Sequence, residues 1–194
     1  MSEISLRDIK NKIVDNVLMK NIGLRVVMII RRRTLDGKFI SGSGTYSEKP
    51  FAMPLGAAAK LVGEKLTKLP DEAQIFTANS GAKWVIIKGG YKRYRELSGR
   101  QSAKVDLNWS GRMMRNLGII PGTTTARETQ VGFTSADEKQ KALWHNTLGA
   151  GKSKSKHEFM GLLPDEYNDV VKFAGDEIAK KIATALSNYT VAVN

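Results

Sequence analysis

The sequence predicts an α+β fold: a mixed or antiparallel sheet packed by an N-terminal helix and a long C-terminal helix, with extended loops between. Three observations carry this expectation. Pro164-Asp165-Glu166 opens a stretch with apolar residues three and four apart, the spacing that keeps side chains on one helix face. Several short β-branched or aromatic runs end at Gly, Asn or Ser, as strands do. No strand-helix-strand unit repeats, which favours α+β over a doubly wound sheet.

Taken in order, residues 5–21 read as a helix, because Ile9, Ile13 and Val17 recur at i, i+4, i+8 and Ser5 with Asp8 offers a capping box. Gly23 marks its expected end. The run Leu24–Ile30, "LRVVMII", is expected to be a buried strand continuing toward Arg33, and Thr34-Leu35-Asp36-Gly37 a turn. A Gly/Ser-rich irregular stretch follows. Leu55, Ala58, Ala59, Val62 and Leu66 align on one side of a helix over 55–67. "AQIFTA" and "WVIIK" read as strands over 73–78 and 84–87, joined by Asn79-Ser80-Gly81. Gly89-Gly90 stops the second, and "YKRYREL" is helical or turn-like. Another helix is expected within Val105–Arg115, and a last strand at 128–133. The final helix runs from Pro164 through Ser187, where proline loses no N–H and the two acids meet the positive end of the dipole. Its expected packed residues are Tyr167, Val170, Val171, Ala174, Ile178, Ile182, Ala185 and Leu186.

A chain of 194 residues with 41% hydrophobic and 26% charged residues fits one domain, 1–194, with long flexible loops near 40–50 and 149–157. No apolar run approaches the ~20 residues of a bilayer span, and the N-terminus does not read as a targeting signal. A protein made in a cytoplasm is expected, with no membrane partner. The absence of cysteine removes disulfides, thiol nucleophiles and cysteine-ligated zinc. The net charge of +12 suggests an anionic partner without choosing between nucleic acid, membrane surface and acidic protein. Arg31-Arg32-Arg33 is the candidate nucleic-acid-facing cluster. A second basic block comprises Lys88, Lys92, Arg93, Arg95 and Arg100.

The stretch Gly149-Ala150-Gly151-Lys152-Ser153 ends like a phosphate-binding loop, but the match fails. Asn146 stands where the first glycine belongs, no β-branched strand precedes it, and no amphipathic helix follows. What remains is a glycine-hinged loop in which Lys152, Lys154 and Lys156 alternate, either an arm that orders on a partner or a plain surface loop. His145 and His157 lack carboxylates at ligand spacing, and no Gly-x-Ser-x-Gly elbow exists. No catalytic, cofactor-binding or metal-ligating residue is therefore named, and no enzyme or cofactor is expected. Tyr91 and Tyr94, interleaved with Lys92, Arg93 and Arg95, match the logic of single-strand binders, yet a tyrosine packed on the sheet with arginines covering apolar surface is favoured.

Several stretches together resemble the small neck proteins of tailed phages, a family variously called virion morphogenesis, tail-completion or head–tail joining proteins. They are "TLDGKF" with "TYSEKP", "IKGGYKRYREL", "VDLNWSGRMMRNL", "VGFTSADEKQKALWHNTLGAG" and "HEFMGLLPDEY", in that order from about Thr34 to about Leu186. The sequence departs from the family where His157-Glu158 replaces a frequent proline-arginine pair. The resemblance implies a structural, non-enzymatic virion protein that forms a ring, expected to be a hexamer, at the head–tail junction or the top of the tail. Its implied partners are itself, neighbouring neck, connector or tail proteins, and DNA passing through the lumen. Arg and Tyr are favoured interface anchors, so Tyr91, Arg93, Tyr94, Arg95, Lys152, Lys154 and Lys156 are the candidate protein-interface residues. The alternative from another class is a basic nucleic-acid-binding protein using the blocks around Arg32 and Arg93.

Overall fold

A computed structural model describes residues 13–62, 71, 73–108, 110–149 and 154–190. The fold is α+β, with small antiparallel sheets, an N-terminal helix and a long C-terminal helix. In chain order the elements used below are α1 (Asn16–Leu35), β1 (Phe51–Pro54), α2 (Leu55–Val62), β2 (Ala73–Thr77), β3 (Lys83–Ile87), α3 (Gly90–Leu97), α4 (Arg112–Asn116), β4 (Leu117–Ile119), β5 (Val131–Phe133), α5 (Ala136–Leu143) and α6 (Pro164–Thr190). Two compact units divide them: a first unit of Met1–Gly42 with Ser110–Asn194, and an inserted unit of Ser43–Trp109.

In the first unit, one 20-residue helix replaces the expected helix, glycine stop and strand. Asp15 caps it by accepting the Leu18 N–H at 2.8 Å. Gly23 lies inside the helix because a closer neighbour needs its space: a Cβ there would stand 2.9 Å from Thr129 Cγ2 and 3.1 Å from Ile119 Cδ1. The β-branched run that reads as a strand is helical because its buried members, Val27, Ile30 and Thr34, follow Gly23 at spacings of three and four. Residues 5–12 of the expected helix lie outside the described residues. The turn at Thr34–Gly37 closes α1: Asp36 N–H donates to the Arg32 carbonyl, and Gly37, at φ 72°, donates to that of Thr34.

The unit's ladder pairs β4 with β5, Leu117 opposite Phe133 and Ile119 opposite Val131. Of the helix expected within Val105–Arg115, only Arg112 onward is helical; Gly111 at φ 72° starts it. The strand expected at 128–133 is confined to Val131–Phe133. Helix α5, absent from the sequence reading, is capped by Ser135, which accepts the Glu138 N–H, and continues into a π-helical turn at Trp144–Leu148. Phe159, Leu18, Ile30 and Leu117 are the largest of this unit's fully buried side chains, and Phe39, Met113 and Met114 join them in its core. Helix α6 packs antiparallel on α1, with Arg25 Nη2 2.8 Å from Asp169 and Lys181 Nζ 2.6 Å from Asp15. Only Val170 of its expected packed residues is fully buried; Tyr167, Val171, Ile182 and Leu186 are exposed.

The inserted unit is a three-stranded antiparallel sheet of order β1-β3-β2. The Asn79-Ser80-Gly81 link forms as expected, with Gly81 at φ 79°. Val85 and Ile87 on the central strand pack with Ala58 of α2 and with Tyr94 and Leu97 of α3, and Phe51 and Tyr91 close the edge of this cluster. Residues 63–67 of the expected second helix lie outside the described residues. Gly90 starts α3 at φ 68°, where a Cβ would run into the Ser47 and Glu48 backbone.

Candidate interaction surface

Most of the basic and aromatic residues singled out in the sequence turn inward. Arg33 is buried, and its guanidinium donates to Glu166, to the Phe159 carbonyl at 2.6 Å and to the Gly161 carbonyl at 3.0 Å. It joins the end of α1 to the segment that leads into α6. Arg31 is half-buried and donates to the carbonyls of Arg115, at 3.1 Å, and Leu117. Of this triplet, Arg32 alone is exposed. Carbonyl and carboxylate acceptors thus occupy two of the three cations expected to face nucleic acid.

The same holds in the inserted unit. Arg95 is 2% exposed. It donates to the Gln101 carbonyl at 2.6 Å and to Asp106 at 3.2 Å, and lies 4.4 Å from the Tyr46 ring centroid. The Tyr46 hydroxyl donates to the same Asp106 at 2.8 Å, and burial pushes its ionisation well above the usual phenol range. Tyr94 is buried and Tyr91 half-buried; Tyr91 meets the Tyr46 ring at 5.4 Å, both meet the Phe51 ring at 5.8 Å, and they lie 5.9 Å from each other. The tyrosines pack on the sheet and form no stacking platform, whereas Arg95 does not cover apolar surface but is buried on the Gln101 carbonyl and Asp106. Arg93 is half-buried and pairs with Glu96 at 2.8 Å. The 44–48 stretch is tied down as well: Val105 N–H donates to the Gly44 carbonyl, Lys92 N–H to that of Ser47, and the Lys92 ammonium pairs with Glu48.

At the 149–157 loop, Lys152 lies outside the described residues, while Lys154 and Lys156 are exposed. The loop is closed at its base. Gly149, at φ 81°, approaches the Lys154 backbone so closely that a Cβ would overlap it. His157 N–H donates to the His145 carbonyl at 2.7 Å. Asn146 Oδ1 accepts the N–H groups of both Phe159 and Met160, at 2.8 and 3.0 Å, so its side chain seats Phe159 in the core. Burial pushes the His145 imidazole down to about 4, with a smaller contribution from the neighbouring His157, which burial also lowers. Among the described residues no group of three or more His, Cys, Asp or Glu could hold a metal.

Beside these charges, the first unit also exposes apolar side chains. On α1, Val17 and Met28 are each 60% exposed, and Leu24 and Leu35 are exposed with them. With Asn21 and Arg31 they form the series 17, 21, 24, 28, 31, 35, whose alternating steps of four and three are the spacing of a coiled-coil seam. A different face of the same helix carries Gly23, Val27, Ile30 and Thr34 into the core. On α6, Tyr167, Val171, Ile182 and Leu186 form a second stripe with Gly175 and half-buried Ile178 between them. Arg25 and Asp169, which link α1 to α6, belong to neither stripe. A third apolar feature is a groove of about 550 Å³ lined by Ile120, Phe133, Ala136, Leu143 and Met160, with Lys139 and Gln140 at its margin. The α1 stripe was hidden in the sequence because half of its helix reads as a strand.

No family model, no curated protein and no solved structure matches this chain.

Proposed function

We propose that the chain is a structural protein of a tailed-phage virion, forming a ring, expected to be a hexamer, at the head–tail junction or the top of the tail. The observation that carries the proposal is the pair of long apolar stripes on α1 and α6. Exposed large apolar side chains aligned along a helix are a usual mark of a protein–protein interface, and a subunit with two different sticky faces is what a ring requires. The ordered resemblance of its segments to the neck proteins supplies the place of assembly. The inward use of Arg31, Arg33 and Arg95 supports protein contact over nucleic-acid binding, since guanidinium groups held by internal carbonyls and carboxylates are not offered to phosphates. The proposal assigns no catalysis, cofactor or metal. The lysine loop would meet an acidic face of an adjoining virion protein.

The test is localisation on the particle. Antibody raised against the purified chain and coupled to gold should label purified virions at the head–tail junction or the upper end of the tail. Label confined to the lysate, with clean particles, would reject the reading.

A further inference from the structure

We propose that the outer edge of β2 docks β2 of a second copy, the two strands pairing antiparallel about a two-fold axis at Ile75. The sheet order β1-β3-β2 leaves β2 at an edge. At the hairpin Ala78 N–H donates to the Ala82 carbonyl. In the alternating antiparallel ladder, Phe76 with Trp84 and Gln74 with Ile86 then exchange the bonds to β3. The N–H and C=O groups of Ala73, Ile75 and Thr77 therefore point away from β3, and among the described residues no backbone partner outside the sheet bonds to them. Nothing on the strand guards this edge. It carries no charge and no proline, and its register with β3 is unbroken by a bulge, so the usual devices against edge pairing are missing. Ile75 is 42% and Phe76 36% exposed, on opposite faces of the strand.

The strand is complementary to itself. With Ile75 opposite Ile75 of the second copy, Ala73 falls opposite Thr77, and the three outward-facing residues of each copy meet those of the other. Every donor on the edge then finds an acceptor. The row Met53, Val85, Ile75 continues into the same row of the second copy in reverse, which covers both exposed isoleucines. The charges agree in that register. Asp71 lies at one end of β2, and Lys83 stands beside Thr77 at the other. Antiparallel pairing brings Asp71 of each copy to the Lys83 end of the other, whereas parallel pairing would set Asp71 by Asp71. Lys88, just past Ile87 on β3, stays about three strand spacings, ~14 Å, from Lys83 of the other copy. An edge of 5 residues is small beside a stable interface, so the pair should dissociate on dilution. The contact is isologous and ends at two copies. It thus goes beyond the ring, which needs contact between two different faces.

The absence of cysteine from the chain makes the test direct. In the paired edge Gln74 faces Phe76 of the other copy as a non-hydrogen-bonded pair, with Cα atoms about 4.5 Å apart, within disulfide range. Both side chains are exposed. Gln74→Cys and Phe76→Cys variants of the full chain are prepared separately and oxidised alone and mixed. The mixture should give a disulfide-linked pair at least tenfold faster than either variant alone. Ile75→Pro removes an outward N–H, a place where an edge strand tolerates proline, and Ile75→Lys sets two like charges at the axis. Each should weaken dimerisation in sedimentation equilibrium at least tenfold, and Ile75→Lys should leave the melting temperature unchanged. A mixture that cross-links no faster than its components would overturn the proposal, as would faster self-linking of either variant, which marks another register. Undiminished dimerisation of Ile75→Lys would overturn it as well. Cross-linking is read on the free protein and gold labelling on particles, so this pairing and the virion reading can fail separately.

Discussion

Replacing Arg33 by methionine tests whether the arginine triplet serves the fold or a ligand. The Arg33 side chain is 4% exposed and its partner Glu166 19% exposed. Methionine keeps most of the aliphatic stem, so packing changes little. The loss falls on the polar partners: the Phe159 and Gly161 carbonyls lose a donor, and the Glu166 carboxylate loses its counter-ion. Removing one member of a buried ion pair costs about 3–5 kcal/mol. Glu166 keeps the Leu163 N–H at 2.8 Å and some access to water, which puts the expected loss at the lower end, about 3 kcal/mol. At about 2–4 °C per kcal/mol for a chain of this size, the melting temperature should fall by about 6–12 °C. Arg32→Met, at an exposed site, should stay within about 0.5 kcal/mol of the parent. Adding Glu166→Gln to Arg33→Met should recover part of the loss, because the stranded charge is gone. Thermal unfolding followed by circular dichroism reads all three variants. Equal melting of Arg33→Met and Arg32→Met would refute the reasoning.

Other consequences follow from the same contacts. Asp106→Ala strands the buried Arg95 and should cost the inserted unit about 3–5 kcal/mol, whereas Tyr46→Phe removes one neutral donor and should cost about 1 kcal/mol; urea titration separates them. Gly90→Ala forces a left-handed φ on a β-carbon that meets the Ser47 backbone, so a loss above about 2 kcal/mol is expected in the same assay. His145 has its folded pKa below its unfolded one, so unfolding takes up a proton. Stability should therefore be full above pH 6.5 and fall as pH drops toward 4, by up to about 3 kcal/mol. His145→Gln should flatten that part of the profile, and an unchanged profile would contradict the assignment. Exchanging Lys152, Lys154 and Lys156 for glutamate should abolish head–tail joining, scored by plaque titre, while normal titre would remove the loop from the assembly surface.

Much of the scaffold was legible because its signals are local. Pro164-Asp165-Glu166 opens α6, and Asn79-Ser80-Gly81 joins β2 to β3. Helix α1 was misread because β-branched residues serve a buried helix face as well as a strand, and only Ile119 and Thr129 reveal why Gly23 does not end it. Helix α5 carried a readable signal, Ser135 three residues before Glu138, the first half of a capping box. The destinations of the arginines were not legible in principle. Arg33 meets the Phe159 carbonyl across 126 residues and Arg31 the Leu117 carbonyl across 86, and no local pattern marks such a partner. The candidate surface stayed hidden for the same reason: which face of α1 or α6 is left uncovered depends on what packs on the other.

The measurement that bears most directly on the central claim is deletion of the gene from the phage that encodes it, followed by negative-stain electron microscopy of the lysate. The account predicts filled heads beside separate tails, or tails with defective upper ends, restored by the chain supplied in trans. Intact, infectious particles from the deletion would contradict it.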